Sequence, residues 1–160
     1  MKLSNLFFPP PFEARHSKRT FVSSPDDQAS RPTRGVVEFA LEAARSALDA
    51  SVDEVCRRAD PGPWSPDTWP GEHYRLLAGI AAALAPRTVI EVGTFTGLSA
   101  LSIRDALPEG SQLVTFDLIP WDEIPGTVLR ASDFEDGRLR QEIADLADPE
   151  AFRRHEELIA

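Results

Sequence analysis

The sequence predicts an α/β fold built on a parallel sheet, and three observations carry that prediction. Two short runs, Thr88–Val92 (TVIEV) and Gln112–Phe116 (QLVTF), are β-branched or apolar almost throughout. That is the texture of strands buried on both faces, as in a parallel sheet. The segments around them carry a helical period, and the order helix–strand–helix–strand–strand–helix supplies the long connections that parallel strands require.

Taken in order, residues 1–34 read as an irregular arm. It holds Pro9, Pro10 and Pro11, a basic cluster (Arg15, His16, Lys18, Arg19) and a polar run from Ser23 to Arg34. Phe7, Phe8, Phe12 and Phe21 suit an arm that docks, either on the domain or on a second subunit of a homo-oligomer. From Gly35 to Arg58, apolar residues at Val37, Ala40, Leu41, Ala44, Ala47, Leu48, Val52 and Val55 predict one helix with one apolar stripe. Phe39 falls off that stripe. Asp60–Gly71 (DPGPWSPDTWPG) is dense in Pro and Gly and reads as a connector, with Trp64 and Trp69 capping a core edge. The extension therefore divides into an arm over 1–34 and a helix with connector over 35–70, ahead of a ligand-binding domain over 71–160.

A second helix follows, with Tyr74, Leu77, Ile80, Ala81 and Leu84 on one face and Pro86 ending it. After the first strand, Leu98–Leu107 reads as a helix and Pro108-Glu109-Gly110 as a turn. The second strand leads into a loop rich in Pro and Asp, from about Leu118 to Gly137, and a third strand is expected near Leu139–Ile143. Asp148 then caps a last helix that has Pro149 at its first position.

The composition excludes some functions. With 26 acidic against 17 basic residues and a net charge of −9, there is no broad basic face to grip the phosphates of nucleic acid. No stretch approaches the roughly 18 apolar residues of a membrane span. The one cysteine, Cys56, cannot close an internal disulfide and sits in a helical pattern as a small core residue, which fits a reducing compartment and a cytoplasmic protein.

The chemistry lies in the turn Glu91-Val92-Gly93-Thr94-Phe95-Thr96-Gly97-Leu98-Ser99. A glycine directly after a buried strand lets the backbone turn sharply and approach a ligand, and the second glycine lets strand and helix pack closely. The helix start then presents free N–H groups to an anionic part of that ligand, with Ser99 adding a hydroxyl in the first turn. The dinucleotide fingerprint is G-x-G-x-x-G. This turn is G-x-x-x-G, and Thr94, Phe95 and Thr96 would crowd a pyrophosphate. A P-loop is excluded because no Gly-Lys-Ser/Thr follows. Glu91 inside an apolar strand is itself informative, since a buried carboxylate costs several kcal/mol unless paired. Asp117, at the end of the next strand and 26 residues after Glu91, is placed to accept ribose hydroxyls. Asp145 follows the third strand and faces the same crevice.

The residues VIEVGTFTGLSAL, followed by LPEGSQLVTFD, resemble the first two motifs of class I S-adenosylmethionine-dependent methyltransferases. They are particularly similar to the small O-methyltransferases that include the catechol and caffeoyl-CoA enzymes, and the resemblance covers about Gly71–Leu146. It implies a Rossmann-like parallel sheet and S-adenosylmethionine as cofactor. It implies that the loop of Gly93, Thr94, Phe95 and Gly97 holds the methionine part, with Ser99 on its carboxylate and Glu91 on its amino end. By the same resemblance Asp117 takes the ribose hydroxyls, Leu118 lies against the adenine, and Asp145 and Leu146 border the ring. Two departures stand out. The family often has a Glu-Gly pair in the helix before the first strand, where this chain reads Pro70-Gly71-Glu72. The family's domain also has further strands, so this chain reads as its N-terminal, cofactor-binding half, truncated after the third strand.

The function expected is methyl transfer to an oxygen of a small molecule, a nitrogen being the lesser alternative. No metal ligand set and no catalytic base emerge. Asp122, Glu123, Asp133 and Glu135 in the loop read as solvent-facing acids, and of His16, His73 and His155 only His73 lies near the cofactor helix. The alternative is a non-catalytic nucleotide-fold module or fragment that acts in assembly with a partner chain. An NAD-dependent oxidoreductase is disfavoured by the glycine spacing.

Overall fold

The computed structural model describes residues 33–59 and 72–159. The phenylalanines and basic cluster of the arm, Trp64 and Trp69 of the connector, and Pro70-Gly71 lie outside them. The chain divides between Val37 and Glu38, and the contacts below belong to the second unit. The elements are α1 (Arg34–Asp49), α2 (Asp53–Arg58), α3 (Glu72–Leu84), β1 (Thr88–Val92), α4 (Leu98–Ala106), β2 (Gln112–Asp117), β3 (Leu139–Ile143), α5 (Pro149–Arg154) and α6 (Glu156–Ile159).

The three strands form one parallel sheet in the order β1-β2-β3. Leu113, Val114, Thr115 and Phe116 of β2 are all buried, as a central parallel strand requires. One face carries Leu113 and Leu139 and packs on Val52 just before α2, Val55 of α2, Ala81 of α3 and Ala100, Leu101 and Ile103 of α4. On the other face the ring of Phe116 meets His155, between α5 and α6, edge-on at 5.1 Å. Asp148 caps α5 as expected, its carboxylate accepting from Glu150 N and Ala151 N, with Pro149 opening the helix.

The single helix expected over Gly35–Arg58 is two helices. The Arg75 guanidinium donates to the Ala50 carbonyl at 2.6 Å, which ends α1. The Ser51 hydroxyl then accepts from Asp53 N at 3.2 Å and starts α2 on a new axis. The apolar stripe of α1 is also not the buried one: Leu41 and Leu48 are 55 % and 83 % exposed, and Ala43 is buried instead. The reason is the closeness of α3. A Cβ placed on Gly79 would stand 2.4 Å from the Ala43 carbonyl oxygen and 2.8 Å from the Ala47 Cβ. Only small side chains fit that crossing, so α1 turns Ala43 and Ala47 inward and its leucines outward. Leu84, expected on the inner face of α3, is likewise exposed at the last turn.

The loop after β2 is structured. It makes short 3-10 turns at Trp121–Glu123 and Ala131–Asp133 and buries Ile124, Val128 and Leu129. Among the described residues, no helix is long and apolar enough to cross a membrane.

Candidate functional site

The site is the crevice at the carboxyl ends of β1 and β2, where open α/β sheets take their ligands. Its first wall is the turn after β1. Gly93 has φ +93 and nothing within 4 Å of where a Cβ would be, so it faces open space. Gly97 has φ +83 and serves as the N-cap of α4. Its close neighbour is not the strand that the sequence suggested but Leu129 of the loop after β2, whose Cγ would lie 2.3 Å from an added Cβ. That loop also donates Val128 N to the Thr96 carbonyl at 2.8 Å, which pins the turn from outside the sheet. Between the two glycines, Phe95 holds a left-handed φ of 43° with its ring 71 % exposed. Left-handed backbone at a residue with a side chain is strained, and such strain concentrates at ligand sites.

Glu91 stands at the base of this wall. Its Oε1 accepts from the Ser99 hydroxyl at 2.5 Å, while its Oε2 is buried and has no hydrogen-bond partner. Burial pushes the carboxyl above its ordinary range, the hydroxyls of Ser99 and Thr115 oppose that, and the charge of Asp117 adds to it. Glu91 also borders an apolar groove of about 300 Å³ between α3, β1 and α4, lined by Leu77, Ile80, Leu84 and Val89 among others. That apolar lining accounts for the loss of solvation. Burial raises the phenol of the nearby Tyr74, and the charge of Glu91 adds to that. The Ser99 hydroxyl has one proton, and here it is directed at Glu91.

Asp117 forms the junction with the second wall. Its Oδ2 accepts from Phe95 N at 2.9 Å, and its Oδ1 from Leu118 N at 2.7 Å and Ile119 N at 3.4 Å. Burial alone would raise its pKa, but these backbone donors and that of Thr94 outweigh it and hold the carboxyl below its ordinary value. A carboxylate has about four lone-pair positions, and the N–H groups of Phe95, Leu118, Ile119 and Thr94 are directed at them, so a ligand hydroxyl has to share or displace one. Leu118 is 65 % exposed beside it. Asp145 closes its own turn by accepting from Ala147 N at 2.9 Å, and its link to the site is through Ala144 N, which donates to the Asp117 carbonyl at 3.0 Å. Leu146 is half-buried in the same turn.

The sequence reading missed Thr115, Gln141 and the pairing of Asp133 with Arg58. Glu91, Thr115 and Gln141 share one row across the three strands. Above that row, Thr94 Oγ1 meets Thr115 Oγ1 at 2.5 Å and accepts from Gln141 Nε2 at 2.9 Å. Asp133, expected in solvent, is 3 % exposed and pairs with Arg58 of α2 at 2.6 Å. Arg58 also donates to the Val128 carbonyl, so this pair ties α2 to the loop that pins the glycine turn. Asp122, Glu123 and Glu135 are exposed as expected. His73 lies in the first turn of α3 with its ring 3.9 Å from that of Tyr74. Among the described residues no group of three or more His, Cys, Asp or Glu is arranged to hold a metal ion.

A family model described as O-methyltransferase matches residues 42–124. Among characterised proteins the chain is similar to Catechol O-methyltransferase B of Danio rerio, 27 % identical over 96 residues that are 58 % of this chain and 35 % of that protein. It is also similar to Catechol O-methyltransferase domain-containing protein 1 of Mus musculus, 40 % identical over 47 residues, 29 % of this chain and 18 % of that protein. The chain thus spans about a third or less of the length of these relatives.

Proposed function

The chain belongs to the O-methyltransferase family, and we propose that it binds S-adenosylmethionine in the crevice above β1 and β2 and serves methyl transfer to an oxygen of a small molecule. The observation that carries this reading is the orphaned Oε2 of Glu91. A buried carboxylate oxygen left without a partner calls for a further donor, and a cationic one best offsets the charge. The ammonium of an amino-acid end fits that need, whereas the pyrophosphate of a dinucleotide would be repelled.

In this reading the turn Gly93–Gly97 borders the methionine part, with Gly93, Thr94 and Phe95 presenting backbone. Asp117 takes one ribose hydroxyl in place of, or beside, one of its backbone donors, and Leu118, Asp145 and Leu146 border the adenine. When bound, the cofactor supplies an electrophilic methyl carbon on a sulfonium, so the share of these residues is binding, orientation and exclusion of water. The names of the relatives, catechol O-methyltransferases, favour a catechol-like hydroxyl as acceptor. A cytoplasmic location, inferred from the lone Cys56, is part of the same proposal.

Calorimetric titration with S-adenosylhomocysteine and, separately, with NAD tests the reading. Saturable binding of the first and none of the second is expected. Binding of NAD alone, or of neither, overturns it, and binding of neither would favour the assembly role instead.

A further inference from the structure

Gln141 lies at the middle of β3, opposite Thr115 and in line with Glu91. The row beneath it on the same face is apolar: Val89, Leu113 and Leu139. A half-buried amide above such a row has to be hydrogen-bonded, and Gln141 meets that need in a particular way. Its Nε2 donates to Thr94 Oγ1 at 2.9 Å and to the Ile119 carbonyl at 3.2 Å. Its Oε1 accepts from Trp121 N at 2.8 Å. Thr94 belongs to the turn after β1, while Ile119 and Trp121 belong to the loop after β2. One amide therefore joins both walls of the crevice from below, and Asp117 sits between the two anchors.

We propose that Gln141 is a positioning residue of the ligand site, whose amide sets the separation of the two walls and so the slot that receives the nucleoside part of the ligand. The inference rests on the S-adenosyl reading for the identity of that nucleoside. The mechanical part of it stands on the hydrogen bonds alone. A side chain that merely filled space on β3 would be replaceable by leucine without effect on the crevice. Gln141 is not replaceable in that way, because leucine leaves the Ile119 carbonyl and the Trp121 N–H without their anchor.

Two variants and two readouts test this. Q141L should weaken S-adenosylhomocysteine binding by about tenfold, the net contribution of roughly one hydrogen bond passed on to the crevice. Q141E keeps the acceptor for Trp121 N but, when ionised, loses the donor to Ile119 and adds a charge near Glu91 and Asp117. Its affinity relative to the unsubstituted chain, measured by calorimetry at each pH, should rise as the pH falls and the new acid gains a proton it can donate. A ratio that stays flat with pH, or full affinity in both variants, overturns the proposal.

The second readout needs no ligand. Amide hydrogen exchange in Q141L should quicken at Trp121 and also at Phe95, whose N–H reaches Asp117 across the crevice. Faster exchange at Trp121 with Phe95 unchanged overturns the positioning role. If the unsubstituted chain does not bind S-adenosylhomocysteine, the proposed function fails, and the exchange result still decides the role of Gln141.

Discussion

Phe95 donates its backbone N–H to Asp117 Oδ2 at 2.9 Å and, with Gly93 N on the Phe116 carbonyl at 2.7 Å, closes the turn after β1 onto the end of β2. It also occupies a lone pair that a ligand hydroxyl would otherwise use. The turn is strained at Phe95 and its ring is mostly in solvent, so the bond to Asp117 is what holds the left-handed backbone in place.

Asp117→Ala removes the acceptor for the N–H groups of Phe95, Leu118 and Ile119 together with the ribose contact proposed for it. Affinity for S-adenosylhomocysteine should fall by about 1–3 kcal/mol, as read by calorimetry. Unchanged affinity would move the ribose contact elsewhere. By contrast, Phe95→Gly should stabilise the chain by about 1 kcal/mol by relieving the left-handed backbone, visible as a higher urea midpoint. A lower midpoint would mean that the ring contributes packing.

Glu91→Gln should stabilise the chain at neutral pH while weakening ligand binding. Burial holds the folded-state pKa of Glu91 above the ordinary 4.5. The fold therefore favours the protonated form: the contribution is complete below 4.5 and is lost as pH rises through the folded value. Glutamine carries no such charge, so its advantage in melting temperature should be largest near neutral pH and shrink toward 4.5. A variant that melts lower at neutral pH would show that the carboxylate is already paired.

The two glycines of the turn should respond differently to alanine. Gly97→Ala drives a Cβ into Leu129 at a left-handed φ, which should cost about 2–4 kcal/mol of stability from overpacking and strain together. Gly93→Ala meets no protein atom and should cost only the backbone strain, about 1–2 kcal/mol, while its methyl group projects toward the ligand. Denaturant midpoints and titration of the same two proteins separate the effects. Equal losses of stability would refute the assigned contact with Leu129.

Asp133→Asn removes one of the two carboxylates on the Arg58 guanidinium, a side chain only 10 % exposed, and leaves Glu54 Oε1 at 2.6 Å as its remaining charge partner. The loss should be about 1–3 kcal/mol, the cost of weakening a buried charge-assisted hydrogen bond. Burial opposes ionisation of Asp133, but the donors of Arg58 and Arg130 outweigh it and lower its pKa. The stability it supplies is therefore present above the ordinary 3.8 and lost as pH falls through the lower folded value. Replacing both partners, Arg58→Met with Asp133→Leu, should recover most of the loss. No recovery in the double variant would show that the loop depends on the ion pair itself.

The sequence by itself determined what is local. The β-branched run of β1, the glycines that follow it, Asp117 at the end of β2 and Asp148 before Pro149 are all set by short-range steric and hydrogen-bonding preferences, and each lies where those preferences put it. Glu91 was legible for a similar reason, as a charge inside an apolar strand. What the tertiary structure decided is everything that depends on register and on which helix comes close. The row Glu91–Thr115–Gln141 exists only once three strands align, and nothing within LRQEI marks its glutamine as different from a surface one. Asp133 reads as solvent-facing until α2 brings Arg58 within 2.6 Å. The leucines of α1 read as core until Gly79 draws α3 so close that only alanines fit between. A periodic pattern gives the face a helix prefers to bury. The partner's shape decides which face is buried.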